Sequence, residues 1–293
     1  MVLKCRCYNY TYQIRENPLN IKSDCIVCLM NQALKVTKLL ELDDTTSKKI
    51  LDRTAQILIE HDFSCTPPQI AKVIYQAISD ITGDEDPVLR AKERATSEAL
   101  RVDTSFVQTI NDAIKMAVIG NVIDFGAQNQ FGLSEMIQHH FEKDFAIDDF
   151  DVFEQELQKA KEIVIIGDNV GEHVFDKLLI ETIKKHYDLK VYYFVRTKPI
   201  INDVTPKEAK IMSGCADIID TGIETPGFEI HKANAVSREI FGRADIVIAK
   251  GMGNFESLYQ VAKRPIYYLF IVKCNVVADA IGQDIKSMIF KRG

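Results

Sequence analysis

The sequence predicts an α/β protein, with an N-terminal all-helical domain over residues 1–160 followed by a Rossmann-like, doubly wound, mostly parallel sheet over residues 161–293. Between residues 21 and 160 apolar positions recur at helical spacing and no strand stands out. From Ile163 onward, short apolar runs without polar alternation, the pattern of strands covered on both faces, alternate with helical segments. Those runs end in polar loops, and open parallel sheets bind their ligands beyond the carboxyl ends of their strands.

Residues 1–20 are rich in Tyr and Asn, and Thr11-Tyr12-Gln13-Ile14 reads as a short strand or arm closed by Asn17-Pro18. Ser23 or Asp24 can cap a helix through Ile26, Leu29, Leu34 and Leu39 that ends near Leu42; Thr46 or Ser47 can cap a second through Ile50 and Ile57. Thr66-Pro67-Pro68 breaks the chain before a third helix with Ile70, Val73, Ile74 and Ile78, because proline cannot lie in a helix interior. After the polar turn Thr82–Pro87, the stretch from Leu89 to Val118 keeps a 3.6-residue spacing, and further helices fall around Met136–Phe141 and Val152–Ala160. Strands then fall at Ile163–Ile166, Lys190–Arg196, Asp217–Asp220, Ala244–Lys250 and Pro265–Lys273, while Thr205-Pro206-Lys207-Glu208 is a capping box whose helix ends at Gly214.

A net charge of -6 and the lack of a basic stripe argue against nucleic acid as a partner. No apolar run reaches the roughly 20 residues that span a bilayer, and the N-terminus lacks a signal-peptide core, so the expected setting is cytoplasmic. Seven cysteines without a secretion signal favour reduced thiols over a disulfide framework.

The candidate chemistry sits at the strand tips: Gly167-Asp168-Asn169, Asn202-Asp203, Lys250-Gly251-Met252-Gly253-Asn254 and Lys273. Two carboxylates with amide oxygens suit a hard divalent cation, and lysines suit phosphate. Gly171 opens a helix whose free backbone amides would face the same crevice. Taken singly, Asp168-Asn169 equally suits a tight turn and helix cap, Asp203 a loop carboxylate near a helix start, Asn254 an N-cap, and Lys250 and Lys273 solvated strand ends. Their coincidence at one sheet edge favours a site. The P-loop, the full dinucleotide glycine fingerprint and G-x-S-x-G are all absent. His139-His140 reads as a helix surface; His173, one residue after Glu172 in the presumed site helix, is the exception to watch, with a surface location favoured over a catalytic one.

Gly167-Asp168-Asn169-x-Gly171-Glu172, Arg196-x3-Ile200-Ile201-Asn202-Asp203-Val204-Thr205 and Lys250-Gly251-x-Gly253-Asn254-Phe255-Glu256 together resemble the damage-control phosphatases, a metal-dependent family long catalogued as a domain of unknown function. The resemblance extends to Gly120-Asn121-x-Ile123-Asp124-Phe125-Gly126 and Cys25-x-x-Cys28, and is nearest to the stand-alone, prokaryotic-type branch. It implies a divalent metal (Mn, Ni, Co or Mg) held by Asp168, Asn169 and Asp203, which would also be the catalytic set. The substrate would be a sugar phosphate or related phosphometabolite, intact or damaged. Lys273 would bind its phosphate, although Phe270-Ile271-Val272 replaces the Arg-Thr-x that precedes this lysine in a sister branch. Lys250 is the second phosphate candidate, Asn254 and Glu256 would contact substrate or order their loop, and Asn121 and Asp124 would close the site from the helical half.

Two rival readings remain at this level. A nucleotide- or S-adenosylmethionine-binding transferase would use the same crevice without metal. A non-enzymatic scaffold would be stapled by zinc on Cys5, Cys7, Cys25 and Cys28, although Cys25 and Cys28 also fit one buried helix face, and Cys65, Cys215 and Cys274 read as core.

Overall fold

The computed structural model describes residues 19–120 and 133–293. Cys5, Cys7, the expected arm at 11–14, Asn121 and Asp124 lie outside the described residues. The first three helices, α1 (Ser23–Leu39), α2 (Asp44–Glu60) and α3 (Pro67–Thr82), pack on one another through Leu29, Ala33, Ile50, Ile57, Ile70, Ile74 and Ile78. Their starts follow local chemistry. The Asp43 carboxylate, rather than Thr46 or Ser47, caps α2 by accepting from the Thr46 amide at 2.9 Å. Thr66 and Gln69 form a capping box with Pro67 in the first turn of α3. Lys22 rather than Ser23 or Asp24 precedes α1, which stops at Leu39 instead of reaching Leu42.

The long periodic stretch from Leu89 divides into α4 (Leu89–Ala99) and α5 (Ile110–Ile119). Asp103 accepts from the Ser105 amide at 2.9 Å, and Thr109 with Asp112 makes a capping box, so side chains in the gap offer the backbone an alternative to helix. Two further helices, α6 (Leu133–Phe141) and α7 (Phe150–Leu157), follow; His139 is exposed on α6 as expected.

The sheet has seven strands: β1 (Ile147–Asp148), β2 (Glu162–Ile166), β3 (Lys190–Val195), β4 (Asp217–Asp220), β5 (Ile246–Lys250), β6 (Tyr267–Ile271) and β7 (Met288–Arg292), in the order β1-β7-β6-β5-β2-β3-β4. All pairs are parallel except β6 with β7. The two-residue β1 corrects the expectation of no strand before residue 160: it is too short to carry alternation and exists because it pairs with β7. Residues 147–157 therefore belong spatially to the sheet, although the sequence groups them with the helical half.

Period-two alternation assigns each strand residue a face. Ile163, Ile165, Ile246 and Ile248 lie under α5, α7 and α8 (Glu172–His186). Val164, Ile166, Val247 and Ala249 lie under α9 (Ala235–Arg243), α10 (Gly251–Leu258) and α11 (Asn275–Ile281). This is the doubly wound arrangement. Buried Ile200, in the loop after β3, packs into the α1–α3 core, and Lys72 pairs with Glu224 at 2.9 Å, so the helical half sits against the carboxyl edge of the sheet. No helix among the described residues is long and apolar enough to cross a membrane.

Candidate active site at the sheet switch point

The chain leaves β2 toward β3 and β4 but leaves β5 toward β6, so the order reverses between the adjacent strands β2 and β5. In open parallel sheets the binding crevice lies beyond the strand tips at such a reversal. Asp168 and Asn169 follow β2, and the loop after β3 is fastened to them by main-chain bonds. The Val204 amide donates to the Asp168 carbonyl at 2.8 Å, the Val170 amide donates to the Asn202 carbonyl at 2.7 Å, and Asn169 and Asp203 form an antiparallel bridge. These bonds bring Asp168, Asn169 and Asp203 to one place. Ile201, beside them, has φ of 48°, a left-handed conformation that costs a β-branched residue about 1–3 kcal/mol and is held by its burying neighbour Ile200.

Gly251, at the first position of α10, has φ of 73°, and any side chain there would place its Cβ 1.7 Å from Asp168 Oδ2. The α10 backbone thus stands directly against the Asp168 carboxylate, an approach only glycine permits. Asn169 directs its amide nitrogen to Asp168 Oδ2 at 2.9 Å and Glu172 Oε2 at 3.4 Å, which keeps its own oxygen as an acceptor.

The cluster is rich in buried negative charge. Asp168, Asp203, Glu172 and Asp176 face the equally buried Arg196 and Lys250, and buried Lys92, itself paired with Asp86, adds its charge at Asp203. Burial, then Glu172 and Asp203, hold the Asp168 carboxyl well above the ordinary carboxylate range, with Arg196 and Lys273 opposing. Burial pushes Asp203 up to about 6 against the pull of Arg196, which donates to it at 2.8 Å. Two hard carboxylates and an amide oxygen, short of positive charge, are a donor set that fits a hard divalent cation, with water or substrate completing its shell. Among the described residues no three His, Cys, Asp or Glu side chains stand together as a metal cage, and Asn169 is the amide side chain beside the two carboxylates.

Several candidates occupy places the sequence did not indicate. Lys250 is the main correction: its ammonium is wholly buried, pairs with Glu172 and with Asp176 at 2.8 Å, and donates to the Ala117 carbonyl at 2.9 Å. Burial would lower its pKa, but Asp176 and Glu172 outweigh that and raise it, so this lysine is a charged strut and not an open phosphate ligand. Asn254 is also fully buried; its Oδ1 accepts from Arg196 and from the Phe228 amide, and its nitrogen donates to the Lys250 and Gly167 carbonyls. It orders the tips of β2 and β5, the second of the two roles expected for it. Lys273 is exposed just beyond β6, and its charge bears on Asp168.

Glu256 is buried toward α1, where its charge raises the thiols of Cys25, Cys28 and Cys274 in addition to burial. Cys25 is buried and Cys28 exposed; Cys274, read as core, is half-buried beside them, and all five described cysteines are free thiols. His173 is buried, not on the surface. Its Nδ1 accepts from the Gly171 amide at 3.0 Å, and burial lowers its pKa to about 4. That bond, with the His173 amide donating to the Asn169 carbonyl, occupies two of the amides expected to face the crevice.

Glu172, Asp176, Lys92 and the linking role of Arg196 were missed. Asp176 is four residues after Glu172 and shares the buried face of α8 with Leu179, Ile180 and Ile183; a carboxylate on such a face calls for a cation, and that was the available signal. Lys92, buried on α4, pairs with Asp86 at 3.0 Å, and nothing in its Ala- and Glu-rich surroundings marks it. A cavity of about 320 Å³ behind the first turn of α8, lined by Lys92, His173 and Glu208, is separate from the crevice, since none of Asp168, Asn169 and Asp203 lines it.

Burial brings a pH dependence. Burial lifts the Glu256 carboxyl to about 8 from an unfolded value of 4.5, so between those values the unfolded chain binds fewer protons than the native one, and stability falls as pH rises. Glu256→Gln is expected to flatten this decline, gaining on the order of a few kcal/mol relative to wild type between pH 5 and pH 9. Urea unfolding at pH 5, 7 and 9 measures it; parallel curves for the two proteins would reject the assignment.

Fold and crevice together define a Rossmann-like α/β protein with an acidic, carboxylate-and-amide site at the sheet switch point and a helical half lying over it. The family model for the damage-control phosphatase ARMT1-like domain matches residues 21–289, and the chain belongs to that family. Damage-control phosphatase PH1575 of Pyrococcus horikoshii is 30% identical over 268 residues, covering 89% of this chain and 93% of the relative. A damage-control phosphatase of Archaeoglobus fulgidus is 30% identical over 289 residues, covering 93% and 99%. The crystal structure of the Pyrococcus horikoshii protein, described as a DUF89 family protein, superposes with a TM-score of 0.84 at 27% identity over 93% of this chain and 99% of that one.

Proposed function

We propose that this protein is a metal-dependent phosphatase that hydrolyses phosphomonoesters of sugar phosphates or related phosphometabolites, intact or damaged. Relatives named damage-control phosphatases support a phosphatase role in general. The observation that carries the finer reading is the convergence of Asp168, Asn169 and Asp203 at the switch point, in a buried cluster with more carboxylates than cations.

Asp168, Asn169 and Asp203 would hold the divalent cation, which when bound supplies charge neutralisation at phosphoryl oxygens and orients the nucleophile. Asp168 is held in place by the Gly251 backbone on one side and by the Asn169 amide on the other. Asp203 is held by Arg196. Lys273, exposed at the crevice and long enough to move, supplies a cation to the phosphate as the substrate arrives. Glu172 and Asp176 keep Lys250 charged and so anchor α8 to the tip of β5 beneath the reacting centre.

The test is phosphate release from a panel of sugar phosphates and an aryl phosphate, using chelator-stripped protein with manganese, nickel, cobalt or magnesium added back. Release that requires an added cation is expected. Release undiminished by chelation, or none from any phosphomonoester with any metal, would sink the proposal; tight nucleotide or S-adenosylmethionine binding without metal would then favour a transferase.

A further inference from the structure

We propose that Arg196 is the positioning residue that presents Asp203 to the cation, by fixing one carboxylate oxygen and tying it through Asn254 to the tips of β2 and β5. The proposal rests on the metal-dependent reading above. Arg196 is 1% exposed and follows the last residue of β3. Its Nε donates to Asp203 Oδ2 at 2.8 Å and its Nη2 to Asn254 Oδ1 at 2.9 Å, while Nη1 has no hydrogen-bond partner among the described residues. Asn254 in turn donates to the Gly167 carbonyl at 3.1 Å and the Lys250 carbonyl at 2.7 Å. One planar guanidinium therefore joins the ends of three strands and engages Oδ2 of Asp203, while Oδ1 makes no hydrogen bond among the described residues.

The side chain's direction follows from its register. Arg196 continues the alternation of Tyr192 and Phe194, which face α9–α11, and so points toward α10, where Asn254 waits. The ε-ammonium of a lysine could not hold both partners in one plane, since only the guanidinium offers donors in a fixed fork. Groups that hydrogen-bond a ligating carboxylate set its orientation, and losing one typically lowers metal affinity 10–100-fold.

Charge and geometry predict opposite results, which makes the proposal testable. A cation that was only an electrostatic neighbour would repel the metal, so Arg196→Gln would tighten metal binding. As a positioning residue its loss weakens binding, and Arg196→Lys, which keeps the charge, weakens it too. Manganese(II) titrated calorimetrically into the chelator-stripped full chain should bind Arg196→Lys roughly tenfold more weakly than wild type and Arg196→Gln more weakly still. At saturating manganese, kcat should fall while KM changes less than about twofold, as expected for lost orientation.

Binding by Arg196→Gln equal to or tighter than wild type overturns the inference and leaves the phosphatase reading standing. If wild type itself binds none of the four divalent cations, the metal reading fails and takes this inference with it. A crystal structure of the wild-type protein grown with manganese tests the same point without relying on a variant that folds. Asp203 should ligate through Oδ1 with the Arg196 contact to Oδ2 intact; a ligated Oδ2 with that pair broken would refute it.

Discussion

Replacement of Asp168 by asparagine is expected to lower metal-dependent phosphate release by about a thousandfold or more while leaving the apoprotein at least as stable as wild type. The first effect follows from the proposed role of Asp168 as a charged ligand to a cation that would supply several kcal/mol of transition-state stabilisation, each 1.36 kcal/mol being about tenfold in rate. The second follows from the cluster itself. Burial with Glu172 and Asp203 holds the native Asp168 carboxyl well above 3.8, so unfolding releases a carboxylate that ionises more easily. Wild-type stability therefore falls as pH rises above 3.8 toward the raised native value, and stays reduced beyond it.

Asparagine removes that cost at nearly constant volume, so the advantage of the variant should be largest near neutral pH and vanish near pH 3. Phosphate release and urea unfolding of chelator-stripped protein, measured side by side, decide the matter. Wild-type turnover in Asp168→Asn would remove Asp168 from the chemistry. A marked loss of stability would make it a structural partner instead. Gains in stability on removing a functional residue are a familiar mark of sites whose charges are assembled for a ligand and not for folding.

Lys250→Met is expected to show the opposite balance, costing about 3–5 kcal/mol of stability, because removing one member of a buried ion cluster leaves the others buried and uncompensated. Glu172, Asp176 and the Ala117 carbonyl would all lose their cation. These groups belong to α8 and to the end of α5, so the joint between the helical half and the sheet weakens, not merely one strand tip. Adding Glu172→Gln and Asp176→Asn to Lys250→Met should recover most of the loss, since a neutral set of similar shape avoids the unpaired charges. Chemical denaturation followed by circular dichroism measures both. A triple variant no more stable than Lys250→Met would show that packing, not charge, is what Lys250 supplies.

The strand tips and their polar residues were legible because burial on both faces removes alternation, and because glycine and carboxylates interrupt such runs abruptly. Asp168, Asn169 and Asp203 were read as neighbours from the rule for parallel sheets, and the main-chain bonds between their loops bring them together. The lysines at strand ends were not equally legible. Lys250 and Lys273 both end apolar runs, yet one is wholly buried and the other exposed. In β5, Lys250 shares a face with Ile246 and Ile248, and that face is covered by α8, whose Glu172 and Asp176 receive it. Lys273 lies two residues beyond the end of β6, in the turn to α11, where its amide meets Met252 of α10 and its side chain stays exposed.

From sequence alone came the five strands β2 to β6 and their parallel order, the motifs of the damage-control phosphatases and the acidic tip of β2, because local spacing and turn chemistry act over a few residues; β1 and the antiparallel β7 did not, since their place is set by pairing across the sheet. Tertiary structure alone decided which charges meet. The pairs Arg196 with Asp203, Lys250 with Asp176 and Lys92 with Asp86 depend on which face each backbone presents and what packs over it. Buried charges are tolerated only where a partner arrives, and that partner comes from an element whose placement the packing of the whole chain sets.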